Sequence, residues 1–201
     1  MRPALGELDR GLLREAPAIL GIDEVGRGAL AGPVVVAGAV FGTIPDTPLI
    51  QDSKQLTRLQ RERAARWVRK NALRWGIVEI GVETIDRTDI LRAVRMAMTA
   101  LVRELASEET AVVCDAVRPS DPSLDVLAPA KADESWFCVA AASVLAKVHR
   151  DAVLAELSDR WPGWGWETNA GYGTRHHRAE LDRRGRSILH RTTFRWGPVL
   201  P

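Results

Sequence analysis

Several residue types are scarce in this chain of 201 residues, and each scarcity excludes a class of protein. Its two cysteines, Cys114 and Cys138, both lie in apolar contexts, so we expect reduced core thiols in a cytoplasmic protein, with a disulfide as the alternative. The longest apolar stretch, around 29–41, is too short to span a bilayer and is interrupted by glycine and proline. No apolar segment precedes Ala18, so we expect neither a signal peptide nor a membrane partner.

Lysine is also rare, with four residues among the 28 bases, and Tyr172 is the only tyrosine. The net charge of +2 is unevenly distributed, because residues 171–201 hold seven arginines and two acids and therefore carry +5. The remaining residues sum to −3. A basic end on a mildly acidic body fits a partner with a phosphate backbone. The Gly-Lys-Ser/Thr ending of a P-loop does not occur beside Arg27, which excludes that phosphate site.

Hydrophobic periodicity, in a chain that is 46% apolar, predicts an α/β domain with alternating strands and helices. The predicted strands cover 18–23, 33–41, 77–83 and 111–114, with a short one near 126–127. The predicted helices run from a capping box at Thr57 to a glycine cap at Gly76, then over 90–105, 136–160 and 174–184, the last ended by Gly185.

Carboxylates stand at the ends of two predicted strands. Asp23 and Glu24 follow the first strand, and Asp115 follows the strand 111–114. If these strands are neighbours, their carboxylates meet at one sheet edge, and Asp133, at the start of a helix, could close the cluster. Glu24 can join Asp23 only if the strand has already turned, because adjacent strand residues point to opposite faces.

Such an oxygen-only donor set selects Mg²⁺ or Mn²⁺ over zinc. Two such ions can hold the attacking water and the leaving oxygen of a phosphoryl displacement. The alternatives are an ordinary loop pair at Asp23 and Glu24, a helix or turn cap at Asp115 and a helix N-cap at Asp133.

Other polar and aromatic residues allow two interpretations each. Gly26, Arg27 and Gly28 combine close backbone approach with a guanidinium that can bind phosphate. His176 and His177 lack metal-ligand spacing on a helix, which favours a solvated basic face. Three tryptophans stand close together, Trp161, Trp164 and Trp166. They could stack on nucleic-acid bases, but packing on the core is favoured.

Ordered motifs then resemble one family, the type 2 ribonucleases H of the bacterial ribonuclease HII group. Its opening motif is similar to Gly21–Gly28 with Gly32–Val35, and its Asp-Ser-Lys-Lys-Leu motif is similar to Asp52–Leu56. Further matching segments, in order, are Lys131–Asp133, Ala141–Val148, Arg150–Asp151, Gly171–Thr174 and His190–Phe194. The order is kept from residue 21 almost to the end of the chain.

This resemblance implies a ribonuclease H-like fold, with a five-stranded mixed sheet flanked by helices and a small helical C-terminal part. The implied division is an N-terminal extension at 1–17, a catalytic domain at 18–160 and a substrate-binding part at 161–201. The implied activity is hydrolysis of the RNA strand of RNA·DNA hybrids and incision of DNA at single ribonucleotides, with two Mg²⁺ or Mn²⁺ ions. We expect a monomer, and residues 197–201 contain no recognisable peptide for a sliding clamp.

The resemblance also assigns site residues by position. The catalytic and metal-binding carboxylates would be Asp23, Glu24, Asp115 and Asp133. The ribonucleotide–deoxyribonucleotide junction would be read by Gly26, Arg27, Gly28 and Tyr172. The phosphate contacts would be Ser53, Lys54, Ser143, Lys147 and Arg150.

The chain departs from the family pattern at two neighbours of these carboxylates, where Ala116 and Ala132 replace the usual glycines. These departures concern loop geometry, since all four carboxylates are present. Two rival interpretations stay open. One is a ribonuclease H that needs several consecutive ribonucleotides, and the other is a nucleic-acid-binding protein without catalysis.

Overall fold

The computed structural model describes residues 3–47, 49–51, 53 and 55–197. The predicted phosphate contact Lys54 and its neighbour Asp52 lie outside these ranges. The strands are β1 (Ala18–Val25), β2 (Val34–Phe41), β3 (Arg74–Ile80) and β4 (Thr110–Cys114). The helices are α1 (Glu7–Leu12), α2 (Arg58–Asn71), α3 (Val82–Thr88), α4 (Ile90–Leu105), α5 (Phe137–Arg160), α6 (Trp166–Asn169) and α7 (Arg175–Arg184), with a 3₁₀ turn at Ala132–Glu134.

The sheet has the order β3-β2-β1-β4, with β1 parallel to β4 and the other pairs antiparallel. It is mixed, as expected, but the described residues form four strands where five were predicted. At the place of the fifth, Leu127 forms an isolated parallel bridge to Val113. Pro122 and Pro129 bracket this segment, and proline cannot donate a hydrogen bond to a strand ladder.

Helices cover both faces of the sheet. One face packs against α2 and α5 and the other against α4, while every residue of β2 is buried. Gly21 lets α5 cross β1 closely, since a Cβ there would lie 2.2 Å from the carbonyl carbon of Cys138. A third, smaller cluster joins α5 to α6 and α7 around Trp164 and Trp166. This cluster fixes the C-terminal part beside the end of β1.

Most predicted elements are confirmed, and the main error lies between α2 and β3. The capping box of Thr57 and Gln60 is present, and Gly185 is the C-cap of α7. However, α2 ends at Asn71, and Gly76 lies inside β3 rather than capping a helix. The register of β3 is set by its ladder to β2, which reaches from Val40 to Val34. This tertiary pairing outweighs the local helix-ending signal of glycine.

The N-terminal helix α1 caps α5 through one buried carboxylate. Asp9 Oδ2 accepts the backbone N–H of Phe137 at 2.8 Å, and Oδ1 accepts that of Cys138 at 3.0 Å. Trp136, the local N-cap residue, provides no side-chain hydrogen bond. The alternative role of Asp133 as the N-cap of α5 is therefore wrong. No helix among the described residues is long and apolar enough to cross a membrane.

Candidate active site

The site lies where β1 continues beyond the end of β4. The pairing of these parallel strands ends at Ile22 and Cys114, after which the Asp115 N–H donates to the Ile22 carbonyl at 3.2 Å. The last three residues of β1 therefore pair with β2 alone. Side chains from both faces of β1 can reach the open edge. Asp23 and Glu24 consequently line one cavity although β1 runs through Val25, and the predicted turn before Glu24 does not occur.

This cavity, of about 460 Å³, brings together most of the residues predicted from the sequence. Its lining includes all four carboxylates, the Gly-Arg-Gly tripeptide, Tyr172, Ser53, Ser143 and Lys147. It also includes Arg61, which the sequence analysis missed. Arg61 is held by hydrogen bonds from Nη1 to the carbonyls of Ser53 at 3.2 Å and Leu56 at 2.6 Å. Its position in the first turn of α2, just after the Asp-Ser-Lys motif, was the available signal.

Asp23 and Asp133 are buried, Glu24 and Asp115 are half-buried, and hydrogen bonds hold Asp23, Glu24 and Asp115. Asp23, 7% exposed, accepts the Glu24 N–H at Oδ1 over 2.8 Å. Glu24 Oε1 accepts Arg27 Nη1 at 2.8 Å, but Glu24 Oε2 is buried without a hydrogen-bond partner among the described residues. Asp115 Oδ1 accepts the Ala132 N–H at 2.8 Å, which ties the two acidic loops together. Asp133, 3% exposed, lies in the adjacent 3₁₀ turn.

Burial makes these negative charges costly. Desolvation, followed by repulsion from Glu24, raises the pKa of Asp23 well above its ordinary value. Desolvation raises the pKa of Glu24 to about 7, although Arg27 opposes this shift. The neighbouring Cys114 thiol has its pKa raised to about 12 by burial and by the nearby acids, so it stays protonated near neutral pH. A bound cation would relieve the repulsion between the acids.

The donor chemistry of this pocket fits a hard divalent cation. All four acidic side chains offer oxygen, and Glu24 Oε2 lacks a partner among the described residues. Across the described part of the chain, no three histidine, cysteine, aspartate or glutamate side chains are grouped closely enough to hold an ion as they stand. Binding therefore requires carboxylate side chains to turn toward a shared ion.

The three residues of the Gly-Arg-Gly tripeptide meet different constraints. Gly26 has φ +92°, and a Cβ there would lie 2.1 Å from Arg150 Nε, so packing alone requires glycine. Gly28 is exposed, and a Cβ there would meet no atom within 4 Å. Arg27 is exposed, while its backbone carbonyl accepts Arg191 Nη1 at 2.9 Å. The open space beside Gly28 is available to a ligand.

Two buried arginines hold the loop that carries this tripeptide. Arg150 donates to the carbonyls of Pro33, Ala170 and Ala31 at 2.7–3.2 Å. Arg191 donates twice to the Gly32 carbonyl, at 3.2 and 3.1 Å. Because the Arg150 guanidinium is buried and donates to three backbone carbonyls, it supports this loop and does not fit the expected role of a phosphate contact.

The remaining predicted contacts lie around the cavity rim. The hydroxyls of Ser53 and Ser143 are 3.0 Å apart, and a hydrogen bond from Ser143 lowers the pKa of Asp23 against the larger effect of burial. Lys147 Nζ donates to Asp151 Oδ1 at 2.7 Å. The ring centre of Tyr172 lies 5.4 Å from the guanidinium carbon of Arg150.

Ala116 and Ala132, the two departures from the family pattern, differ in their backbone conformation. Ala116 adopts φ +54°, in the left-handed region that favours glycine. Ala132 has no such backbone angle; instead its N–H is the donor to Asp115. Lys131, just before it, takes φ +59°. Ala116 is therefore strained by its backbone conformation, whereas Ala132 adopts a conformation that is normal for alanine.

A mixed α/β sheet with clustered carboxylates beyond the end of a central strand defines the class of ribonuclease H-like proteins. A family model for ribonuclease HII matches residues 20–196. The chain is 42% identical over 184 residues to a ribonuclease HII of Chlorobium luteolum, covering 88% of each protein.

Solved structures share the fold. The ribonuclease HII in a PCNA complex from Archaeoglobus fulgidus is 27% identical, with a TM-score of 0.70, and the match covers 86% of this chain and 91% of that one. The ribonuclease HIII denoted Bst, solved in complex with Mn²⁺, is 24% identical, with a TM-score of 0.66, and the match covers 89% of this chain and 67% of that one. The chain belongs to the ribonuclease HII family and is a nuclease, a hydrolase of phosphodiester bonds with ribonuclease H activity on RNA·DNA hybrids.

Proposed function

We propose that this nuclease incises duplex DNA on the 5′ side of single embedded ribonucleotides as well as cleaving the RNA strand of hybrids. The products would carry 3′-hydroxyl and 5′-phosphate ends, in ribonucleotide removal and in degradation of RNA primers. The observation that carries this proposal is that one cavity is lined by the four carboxylates, the Gly-Arg-Gly tripeptide and Tyr172. Because a single chain provides all of these groups, the protein would act as a monomer.

The carboxylates would hold two Mg²⁺ or Mn²⁺ ions, with Asp23, Glu24, Asp115 and Asp133 as ligands. When bound, such ions activate water and stabilise charge on the transferring phosphoryl group. The protein itself keeps the carboxylates in place through backbone donors, from Glu24 to Asp23 and from Ala132 to Asp115. Lys147, Arg61 and the paired hydroxyls of Ser53 and Ser143 would face the phosphates beside the scissile bond.

Discrimination between RNA and DNA would depend on Gly28 and Tyr172. The 2′-hydroxyl is the group that tells a protein which sugar it has bound. The open space at Gly28 lets backbone groups approach that hydroxyl without a side chain in between. Tyr172, which lines the same cavity, would stack on the deoxyribose of the following nucleotide, where a 2′-hydroxyl is absent.

The test is cleavage of an end-labelled DNA duplex that carries one ribonucleotide, in Mg²⁺, Mn²⁺ or EDTA. We expect metal-dependent incision 5′ to the ribonucleotide, with an all-DNA duplex left intact. Asp23→Asn, which keeps the shape of the side chain, should reduce the rate by several orders of magnitude without unfolding the protein. Cleavage of a long RNA·DNA hybrid alone would assign the protein to the class that needs several ribonucleotides. Binding without cleavage would refute catalysis.

A further inference from the structure

Two buried histidines connect the C-terminal part to Tyr172. His177, on α7, is 0% exposed, and His190, in the segment after α7, is 2% exposed. Their Nε2 atoms lie 3.0 Å apart, and the rings pack against Trp164 and Trp166. The prediction of a solvated pair is correct for His176, which is exposed, and wrong for His177.

The hydrogen bonds at the two ends of this pair determine which nitrogens carry protons. The Ser187 backbone N–H donates to His190 Nδ1 at 2.9 Å, so this nitrogen must be an acceptor. His177 Nδ1 lies 2.9 Å from the Tyr172 carbonyl, so it must be a donor. Neutral His190 then donates from Nε2 to His177 Nε2. Trp166 Nε1 also donates to His177 Nε2, from 3.3 Å, which agrees with a lone pair there.

Both rings are neutral near pH 7. Desolvation lowers the pKa of His177, and desolvation together with His177 lowers the pKa of His190 to about 4. Positive charge from Arg184 and Arg186 further opposes protonation of His190. The chain of donors and acceptors therefore has one direction, from Ser187 through both histidines to the backbone of Tyr172.

The backbone of Tyr172 is held at both of its polar groups. Its carbonyl accepts hydrogen bonds from His177 Nδ1 and from the Thr174 N–H, the latter at 2.8 Å. Its own N–H donates to the Asn169 carbonyl at 2.9 Å. Gly171, just before it, accepts the N–H of Leu30 at 2.8 Å. His190 forms an antiparallel bridge with Ala31. The histidine pair thus connects Tyr172 to the loop that follows the Gly-Arg-Gly tripeptide.

We propose that His177 is a positioning residue for Tyr172, in the less common Nδ1–H tautomer that His190 enforces. His177 is not among the residues that line the cavity; its ring proton fixes the backbone of Tyr172, which does line it. The consequence for substrate choice rests on the proposed function of Tyr172, whereas the proton positions do not.

Nitrogen-15 NMR of the histidine rings at pH 7 tests the proton positions without activity. We expect a proton on Nδ1 of His177 and on Nε2 of His190, both rings neutral. A proton on Nε2 of His177, or an imidazolium at either residue, would overturn the proposal.

Two variants then separate positioning from folding. Asn places its amide nitrogen, a donor, near the position of Nδ1. Gln places its amide oxygen, an acceptor, near the position of Nε2. His177→Asn should keep the donor to Tyr172 but leave His190 Nε2–H and Trp166 Nε1–H unpaired. His177→Gln should satisfy those donors but lose the bond to Tyr172. By urea unfolding the Asn variant should therefore be the less stable of the two.

Substrate preference should show the opposite order. We expect His177→Gln to reduce kcat/KM on the single-ribonucleotide duplex, relative to a long hybrid, by about tenfold, the effect of one lost hydrogen bond. His177→Asn should change that ratio less than about threefold. Equal ratios in both variants, or a ratio that follows stability, would refute the positioning role. If the wild-type protein leaves single ribonucleotides uncut, the proposed function fails, and the NMR result still decides the tautomers.

Discussion

Replacement of Asp9 by alanine should destabilise the whole domain, although Asp9 is not among the residues that line the cavity. Its two oxygens accept the first N–H groups of α5, the helix that crosses β1 at Gly21. Each hydrogen bond to a charged acceptor contributes about 1.5–3 kcal/mol, and a carboxylate at a helix N-terminus adds about 0.3–1 kcal/mol. We therefore expect Asp9→Ala to reduce the free energy of unfolding by about 3–7 kcal/mol. This is a large part of a typical total of about 5–15 kcal/mol.

Urea unfolding measures this loss, with Asp9→Asn and Glu15→Ala as comparisons. The asparagine retains one acceptor oxygen, so its loss should be about half as large. Glu15 is exposed in the same segment, and its replacement should change stability by less than about 0.5 kcal/mol. Unchanged slopes with denaturant would show that the midpoint shift reports stability. A loss below about 1 kcal/mol for Asp9→Ala would refute the capping argument. The predicted division at residue 17 can be tested in the same way by removing α1.

Three further predictions concern the cavity. Gly28→Ala should leave the midpoint of unfolding unchanged but reduce cleavage at single ribonucleotides at least tenfold. The control Gly81→Ala, also in open space but away from the cavity, should not affect cleavage. Equal cleavage by both variants would contradict an approach of substrate at Gly28. Ala116→Gly should stabilise the protein by about 0.5–1 kcal/mol in urea unfolding, because φ +54° strains alanine, and a loss of stability would contradict this reading. Since the folded state raises the pKa of Glu24 from 4.5 to about 7, it binds the proton more tightly than the unfolded chain does, and the metal-free protein should lose about 3 kcal/mol as the pH rises through that interval. Unfolding in EDTA at pH 5 and 7.5 checks this. Glu24→Gln should remove the part of the loss that Glu24 contributes, while Asp23, whose pKa is also raised by burial, should leave a further loss of the same sign.

Local patterns in the sequence predicted the four strands of the sheet, the longer helices and the acidic residues of the site, but not the short helices α1, α3 and α6. The apolar stripe over 90–105 matches α4, and the capping box at Thr57 starts α2, because both signals depend on residues within a few turns of each other. Asp23 and Asp115 were found because each directly follows an apolar strand, and parallel pairing of β1 and β4 then places them at one edge. The junction residues came from the family resemblance, whose motifs are also contiguous in sequence.

Contacts between distant segments decided the rest. Asp9 meets the start of α5 across more than 120 residues, and Arg191 meets the loop after β1 across about 160. From the sequence alone, such residues are predicted to be exposed to solvent, since aspartate and arginine usually are. They are buried here because the fold brings backbone N–H and carbonyl groups to them. A polar group can be buried without a large cost only where it finds such hydrogen-bond partners. His177 follows the same rule: its neighbour on the helix stays exposed, and only the approach of His190 and Tyr172 distinguishes the two.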